Sequence, residues 1–330
     1  MSKIGQIERA TQNRVVKLFS DPKYSGNLGY RYLGNWEEEP RSSNIEVDVL
    51  RKFLSETQGY SDQVVSKAIL DVQRVAGDQS KSLYEANKAF YRLLRYGVKI
   101  REVAGESKQD VWLINWKEPE KNDFAIAEEV TVVGDHNKRP DVVIYVNGIA
   151  LGVIELKRSK VDVAEGIRQN LLNQKKEYIE RFFTTMQLVM AGNDSQGLRY
   201  GTIETSEKYY LTWKEDSEID NRLDRHLTQV CNKSRFLEII HDYIVFDAGI
   251  KKLCRPNQYF GVRAAQPFVE RREGGIIWHT QGSGKSLTMV WLTKWIRENV
   301  DDARVLIITC LLYTSPSPRD ATLSRMPSSA

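Results

Sequence analysis

The sequence is short of cysteine and proline, nearly balanced in charge and without a long apolar run, and each shortage excludes something. Its three cysteines, Cys231, Cys254 and Cys310, stand far apart with no C-x-x-C spacing. That rules against a structural zinc site or a disulfide framework and leaves them as buried thiols of a reducing cytoplasm. Only 9 prolines, with 41% hydrophobic and 28% charged residues, exclude a disordered or fibrous chain. Met1 to Ser20 mixes charges among its apolar residues, so the apolar segment of a signal peptide is missing. No stretch approaches the roughly 20 apolar residues of a membrane span. A soluble, cytoplasmic protein is expected. With 48 basic against 44 acidic residues, the net charge of +4 neither demands nor excludes a nucleic-acid partner. No internal repeat is present.

What the chain does have is length enough for two domains, at 330 residues. The first hundred residues read as amphipathic helices. Ile4, Ile7, Val15, Leu18 and Phe19 give one apolar face, and Val64, Val65, Ala68, Ile69 and Val72 another behind an N-cap at Ser61. A further helix carries Leu83, Phe90, Leu93 and Leu94 and stops at Gly97. From Val111 the period shifts to strands: 111–116, 124–133, 142–146 and 149–156, with Asn147-Gly148 as a hairpin turn between the last two. Residues 163–183 read as helix and 187–191 as a buried strand, before a polar stretch at 214–224. The segment 275–300 then gives strand, glycine-rich loop and helix, with a second strand at 305–309, the start of a βαβ nucleotide-binding unit.

Three charges, Asp141, Glu155 and Lys157, sit in two strands that are otherwise apolar. Burying charge is costly unless it is paired or holds a metal. Glu155 and Lys157, two apart on a strand, share a face. Two carboxylates that hold Mg²⁺, with a cation beside them, are the parts that phosphodiester hydrolysis needs. A salt bridge at a strand end is the plainer alternative; the apolar flanks favour a site. Strand parity sets a condition. An ideal two-residue turn at Asn147-Gly148 pairs Val146 with Ile149 and Asp141 with Ile154, which puts Asp141 and Glu155 on opposite faces. A joint site therefore requires one extra residue in the second strand, through a three-residue turn or a bulge near Gly152. The two carboxylates should then lie within about 4 to 6 Å of each other.

The second motif is His279-Thr280-Gln281-Gly282-Ser283-Gly284-Lys285-Ser286, which ends in the G-K-[ST] of a phosphate loop. Such a loop cradles phosphates with backbone N–H groups, Lys285 reaching the β/γ-phosphates of ATP and Ser286 ligating Mg²⁺. Upstream, Gln258 stands where a glutamine amide could read an adenine edge. No Asp-Glu box follows Ser286 to hold the metal and orient water, so ATP turnover by this chain is not expected. From about residue 310 the composition turns abruptly to Pro, Ser and Arg, and 310–330 reads as a non-native tail.

Pro140-Asp141 followed by Glu155-Leu156-Lys157 resembles the PD-(D/E)xK nuclease core. Gln174 and Tyr178 resemble the Q-x-x-x-Y motif of its RecB-like and type I restriction branches, and their spacing puts them on one helix face. The phosphate loop resembles that of superfamily 2 helicases, in the version carried by type I restriction R subunits. The resemblance covers roughly residues 10 to 309, and what it implies is specific. The fold is α/β: a nuclease domain with a mixed central sheet flanked by helices over 1–240, then the truncated start of a RecA-like motor over 241–309. The catalytic residues are Asp141, Glu155, Lys157, Gln174 and Tyr178, with Mg²⁺ on Asp141, Glu155 and Ser286, and ATP on Gln258 and 282–286. The activity is non-specific cleavage of double-stranded DNA, coupled to ATP-driven translocation in a complex with methyltransferase (M) and specificity (S) subunits. The rival reading is a DNA translocase whose nuclease-like domain only grips DNA.

Overall fold

The computed structural model describes residues 3–103, 105 and 107–308. The non-native tail expected at 310–330, with Cys310, lies outside the described residues. The chain divides into two compact units, Met1–Phe260 and Gly261–Ala330.

In the first unit, α1 (Lys3–Ser20) precedes a short strand, β1 (Arg31–Asn35), and then α2 (Val47–Lys52), α3 (Asp62–Ala76) and α4 (Leu83–Tyr96). The caps are local and readable. The Ser61 hydroxyl accepts the Val64 N–H at the start of α3, and Ser82 with Glu85 forms a reciprocal capping box on α4. The expected apolar faces of α3 and α4 are buried, Val65, Ala68, Phe90 and Leu94 completely.

A two-stranded ladder of β2 (Val98–Ile100) and β3 (Gln109–Val111) is followed by β4 (Phe124–Glu128), β5 (Val142–Val146), β6 (Ile149–Leu156), α5 (Val163–Asn173), β7 (Leu188–Asn193) and β8 (Gly197–Gly201). The main sheet runs β1-β4-β5-β6-β7-β8. The β1–β4 and β6–β7 pairs are parallel and the others antiparallel, so the sheet is mixed, as expected. One face of it, through Ala127, Val143, Tyr145, Val153 and Val189, forms an apolar cluster with Val163 and Ile167 of α5. α1 packs on β1, β4 and β6.

The unit closes with α6 (Arg222–Val230), α7 (Lys233–Asp242) and a hairpin of β9 (Ile244–Asp247) and β10 (Ile250–Leu253). The hairpin is stapled inward by Lys251. Its buried amine donates to Asn87 Oδ1 at 2.8 Å, Gln187 Oε1 at 2.7 Å and the Met186 carbonyl at 3.3 Å. Burial pushes this amine well below the ordinary lysine value. The staple ties the hairpin to α4 and to the residues before β7 within the first compact unit.

α8 (Pro256–Glu270) spans the division, and α9 (Lys285–Asn299) is the helix after the glycine-rich loop. The βαβ start expected here is only partly present. Residues 276–278 and 305–308 are not strands, and Ile276 and Trp278 are 90% exposed. A strand exists through its hydrogen-bonded neighbours, and none pairs with these segments among the described residues. Among the described residues no helix is long and apolar enough to cross a membrane.

Candidate active site

The hairpin β5–β6 satisfies the parity condition. Asn147 (φ 51°) and Gly148 (φ 78°) make a two-residue turn with both residues left-handed, and Val146 pairs with Ile149. The register then shifts: Tyr145 pairs with Ala150 but Ile144 with Gly152, so Leu151 is the extra residue of a bulge. Val142 consequently faces Ile154, and the next pair outward is Asp141 with Glu155. Both side chains lie on the face covered by α5, beyond Val143 and Val153 of the apolar cluster.

The Asp141 carboxylate reaches across the strands and accepts the Leu156 N–H at 2.6 Å. Glu155 is completely buried, and among the described residues no N–H or O–H donor reaches either of its oxygens. The Asp141 carboxyl acts on Glu155 as a like charge, an acceptor like Glu155 itself unless one of them carries a proton. Lys157 Nζ stands 4.0 Å from Glu155 Oε2, with the lysine side chain 15% exposed. Burial first, and then the Asp141 charge, push the Glu155 carboxyl well above the ordinary glutamate range, against the pull of Lys157. Two orphaned acceptor oxygens beside a second carboxylate are a donor set that a hard divalent cation completes. The residues present therefore fit Mg²⁺, although no group of three His, Cys, Asp or Glu gathers among the described residues.

α5 comes this close because residue 166 is glycine. A Cβ there would sit 3.0 Å from Ala191 Cβ and 3.5 Å from Glu155 Cβ. The helix thus packs closely over Glu155. The reading of 163–183 as one helix requires correction. α5 ends at Asn173, residues 174–179 turn, and a short 3-10 segment follows at Glu180–Thr184. Gln174 and Tyr178 therefore do not share a helix face. Gln174 is buried; its amide donates to the Asn170 carbonyl at 3.1 Å and accepts the Glu204 N–H at 2.6 Å. Tyr178 instead lines a cleft of about 730 Å³, with Lys138 Nζ 4.3 Å above its ring.

Sequence reasoning missed Glu128 and Glu129, although consecutive acids at a strand end were a signal. The Glu129 N–H donates to the Asp141 carbonyl at 2.9 Å, and its carboxylate pairs with Arg9 at 3.0 Å and Arg139 at 2.7 Å. Glu128 is held by Arg9 at 3.3 Å, Gln12 at 3.0 Å and Tyr32 at 2.7 Å. These pairs tie α1 to the end of β4 where Asp141 begins its strand.

In the second unit, Gly282 (φ 76°) and Gly284 (φ 88°) shape the loop, and Gly284 opens α9 without a side-chain cap. The first N–H groups of α9 are thus not taken by a capping side chain, which fits an anion. Lys285 and Ser286 are exposed, and Lys285 Nζ donates to the Thr280 carbonyl at 3.1 Å. Ser283 Oγ is buried without a partner among the described residues. Gln258, in the first unit, accepts the Arg255 N–H at 2.7 Å and so caps the start of α8.

The family described as "Type I restriction enzyme R protein N terminus" matches residues 10–208, more than half of the chain. The chain belongs to that family. Residues 257–310 also match the SWI2/SNF2 ATPase family. The chain is 26% identical over 313 residues to the HindI type I restriction enzyme endonuclease subunit of Haemophilus influenzae, covering 86% of this chain and 29% of that protein. It is 25% identical over 311 residues to the MjaIXP subunit of Methanocaldococcus jannaschii, covering 81% and 30%. A Staphylococcus aureus subunit, SauMSSORF170P, is 26% identical over 314 residues, covering 92% and 32%. The chain thus spans about a third of the length of the type I restriction subunits it matches.

Proposed function

We propose that this chain is the front portion of the R subunit of a type I restriction endonuclease and that Asp141, Glu155 and Lys157 form its DNA-cleaving centre. The observation that carries the reading is the completely buried Glu155 carboxyl, with no donor on either oxygen among the described residues, on the strand that the Leu151 bulge brings into phase with Asp141. Asp141 and Glu155 would hold Mg²⁺. Bound there, the ion supplies Lewis-acid stabilisation of the phosphate and an acidified water. Lys157, on the solvent side of Glu155, donates to a phosphate oxygen as negative charge builds on it. Gln174 acts as a positioning residue: its bonds to Asn170 and Glu204 fix the C-terminal end of the helix that roofs the site.

In this reading the substrate is double-stranded DNA, cut without sequence preference of its own, and site choice belongs to M and S partner subunits in the cytoplasm. The nuclease domain lies in the first unit. The motor, of RecA-like type, begins with the phosphate loop, where Lys285 and Ser286 with the backbone of 282–284 would take the phosphates of ATP and its Mg²⁺, and Gln258 would contribute to nucleotide binding.

The test is Lys157→Met in the complete R–M–S enzyme. Cleavage of DNA carrying an unmethylated site is expected to fall about a hundredfold, in line with the loss of one charge-stabilising donor. ATP hydrolysis should persist. Cleavage at the wild-type rate would refute the role given to Lys157.

A further inference from the structure

The approach to Asp141 carries a cation that the reading above leaves without a task. Residues 132–138 form a closed loop: Val132 and Lys138 exchange both backbone hydrogen bonds, at 2.8 and 3.2 Å, and Asn137 Oδ1 accepts the Gly134 N–H. The loop is pressed against the turn after α5. A Cβ on Gly134 would come within 2.1 Å of the Tyr178 carbonyl, so the two backbones touch where only glycine fits. On this platform Lys138 Nζ lies 4.3 Å above the Tyr178 ring, and the His136 ring is 5.7 Å from it. Val132 belongs to the apolar cluster under α5, and Lys138 stands directly across the bridge from it.

Charge separates Lys138 from its neighbour. Arg139 is compensated by Glu37 and Glu129. Lys138 pairs with no carboxylate among the described residues; its contact is the aromatic face of Tyr178, which orients an ammonium without neutralising it. Only Arg139 and Pro140 separate it from Asp141, so it stands within about 10 Å of chain from the carboxylate pair. Sugar-phosphates recur along a DNA strand at about 3.4 Å of rise, so a strand lying on Asp141 and Glu155 has backbone phosphates within the span of chain that carries Lys138.

We propose that Lys138, aimed by the Tyr178 ring, contacts a backbone phosphate of the duplex close to the scissile bond. This rests on the nuclease reading and gives Tyr178 a task other than that of a helix-borne DNA contact: it positions the lysine. The contact is independent of base identity, as cleavage without sequence preference requires.

The experiment measures binding of the chain to a short duplex by fluorescence anisotropy in Ca²⁺ across a salt series. Each phosphate contact contributes about 0.9 to the slope of log affinity against log salt. Lys138→Met is expected to lower the slope by that amount and the affinity severalfold. Lys138→Arg should restore both, and Lys23→Met, on the exposed turn after α1, serves as the charge control. An unchanged slope for Lys138→Met, or an equal loss for Lys23→Met, overturns the proposal. Either result leaves the nuclease reading standing, because that reading is decided by cleavage in the Asp141 and Glu155 variants.

Discussion

Asp141→Asn and Glu155→Gln, each placed in the complete restriction enzyme, should reduce DNA cleavage about a thousandfold, or about 4 kcal/mol at 1.36 kcal/mol per tenfold. ATP hydrolysis should stay within about twofold of wild type. The amides keep the shape of the side chains, so a folded protein is expected. Glu155→Gln also removes an acid that burial and Asp141 already resist ionising. Under the proposed function what is lost is the charge that would hold the cation, while the phosphate loop lies in the other compact unit. Loss of both activities in a folded variant would contradict the separation of the two sites.

Lys285→Ala is expected to produce the converse pattern. In the complete enzyme it should abolish ATP hydrolysis, by about a hundredfold or more, because the loop lysine carries the charge that meets the β/γ-phosphates. Under the proposed function, in which translocation triggers cutting, cleavage should disappear with it although Asp141 and Glu155 are untouched. The 330-residue chain itself should show no phosphate release above its own Lys285→Ala variant, since no Asp-Glu box follows Ser286. Steady turnover by the wild-type chain would show that residues outside the expected set complete the ATPase site.

The central hairpin was legible because its signals are local. Asn147-Gly148 between apolar runs fixes a turn, and strand parity makes the bulge a requirement of any joint site at Asp141 and Glu155. Leu151 supplies it, beside the glycine where it was expected. The end of α5 was not legible. Ile179, Phe182 and Phe183 continue an apolar spacing past Asn173, but they are buried by a turn and a 3-10 segment, with the Ile179 N–H donating to the Asn173 carbonyl. Hydrophobic period reports which residues go inside, not whether the helix that began them continues. β1 escaped notice because Arg31 to Asn35 is half-exposed at the sheet edge and owes its conformation to pairing with β4, far along the chain. The strands expected around the phosphate loop failed for a related reason: apolar residues such as Ile276 and Leu306 state a preference that only neighbouring strands can realise.

The most direct test of the carboxylate pair as a metal centre is calorimetric titration of the nucleotide-free chain with Mn²⁺, repeated for Asp141→Asn and Glu155→Gln. The account predicts about one ion bound per wild-type chain and none at that site in either variant, because each carboxylate alone leaves the ion short of hard oxygen ligands. Equal binding by wild type and both variants would contradict it.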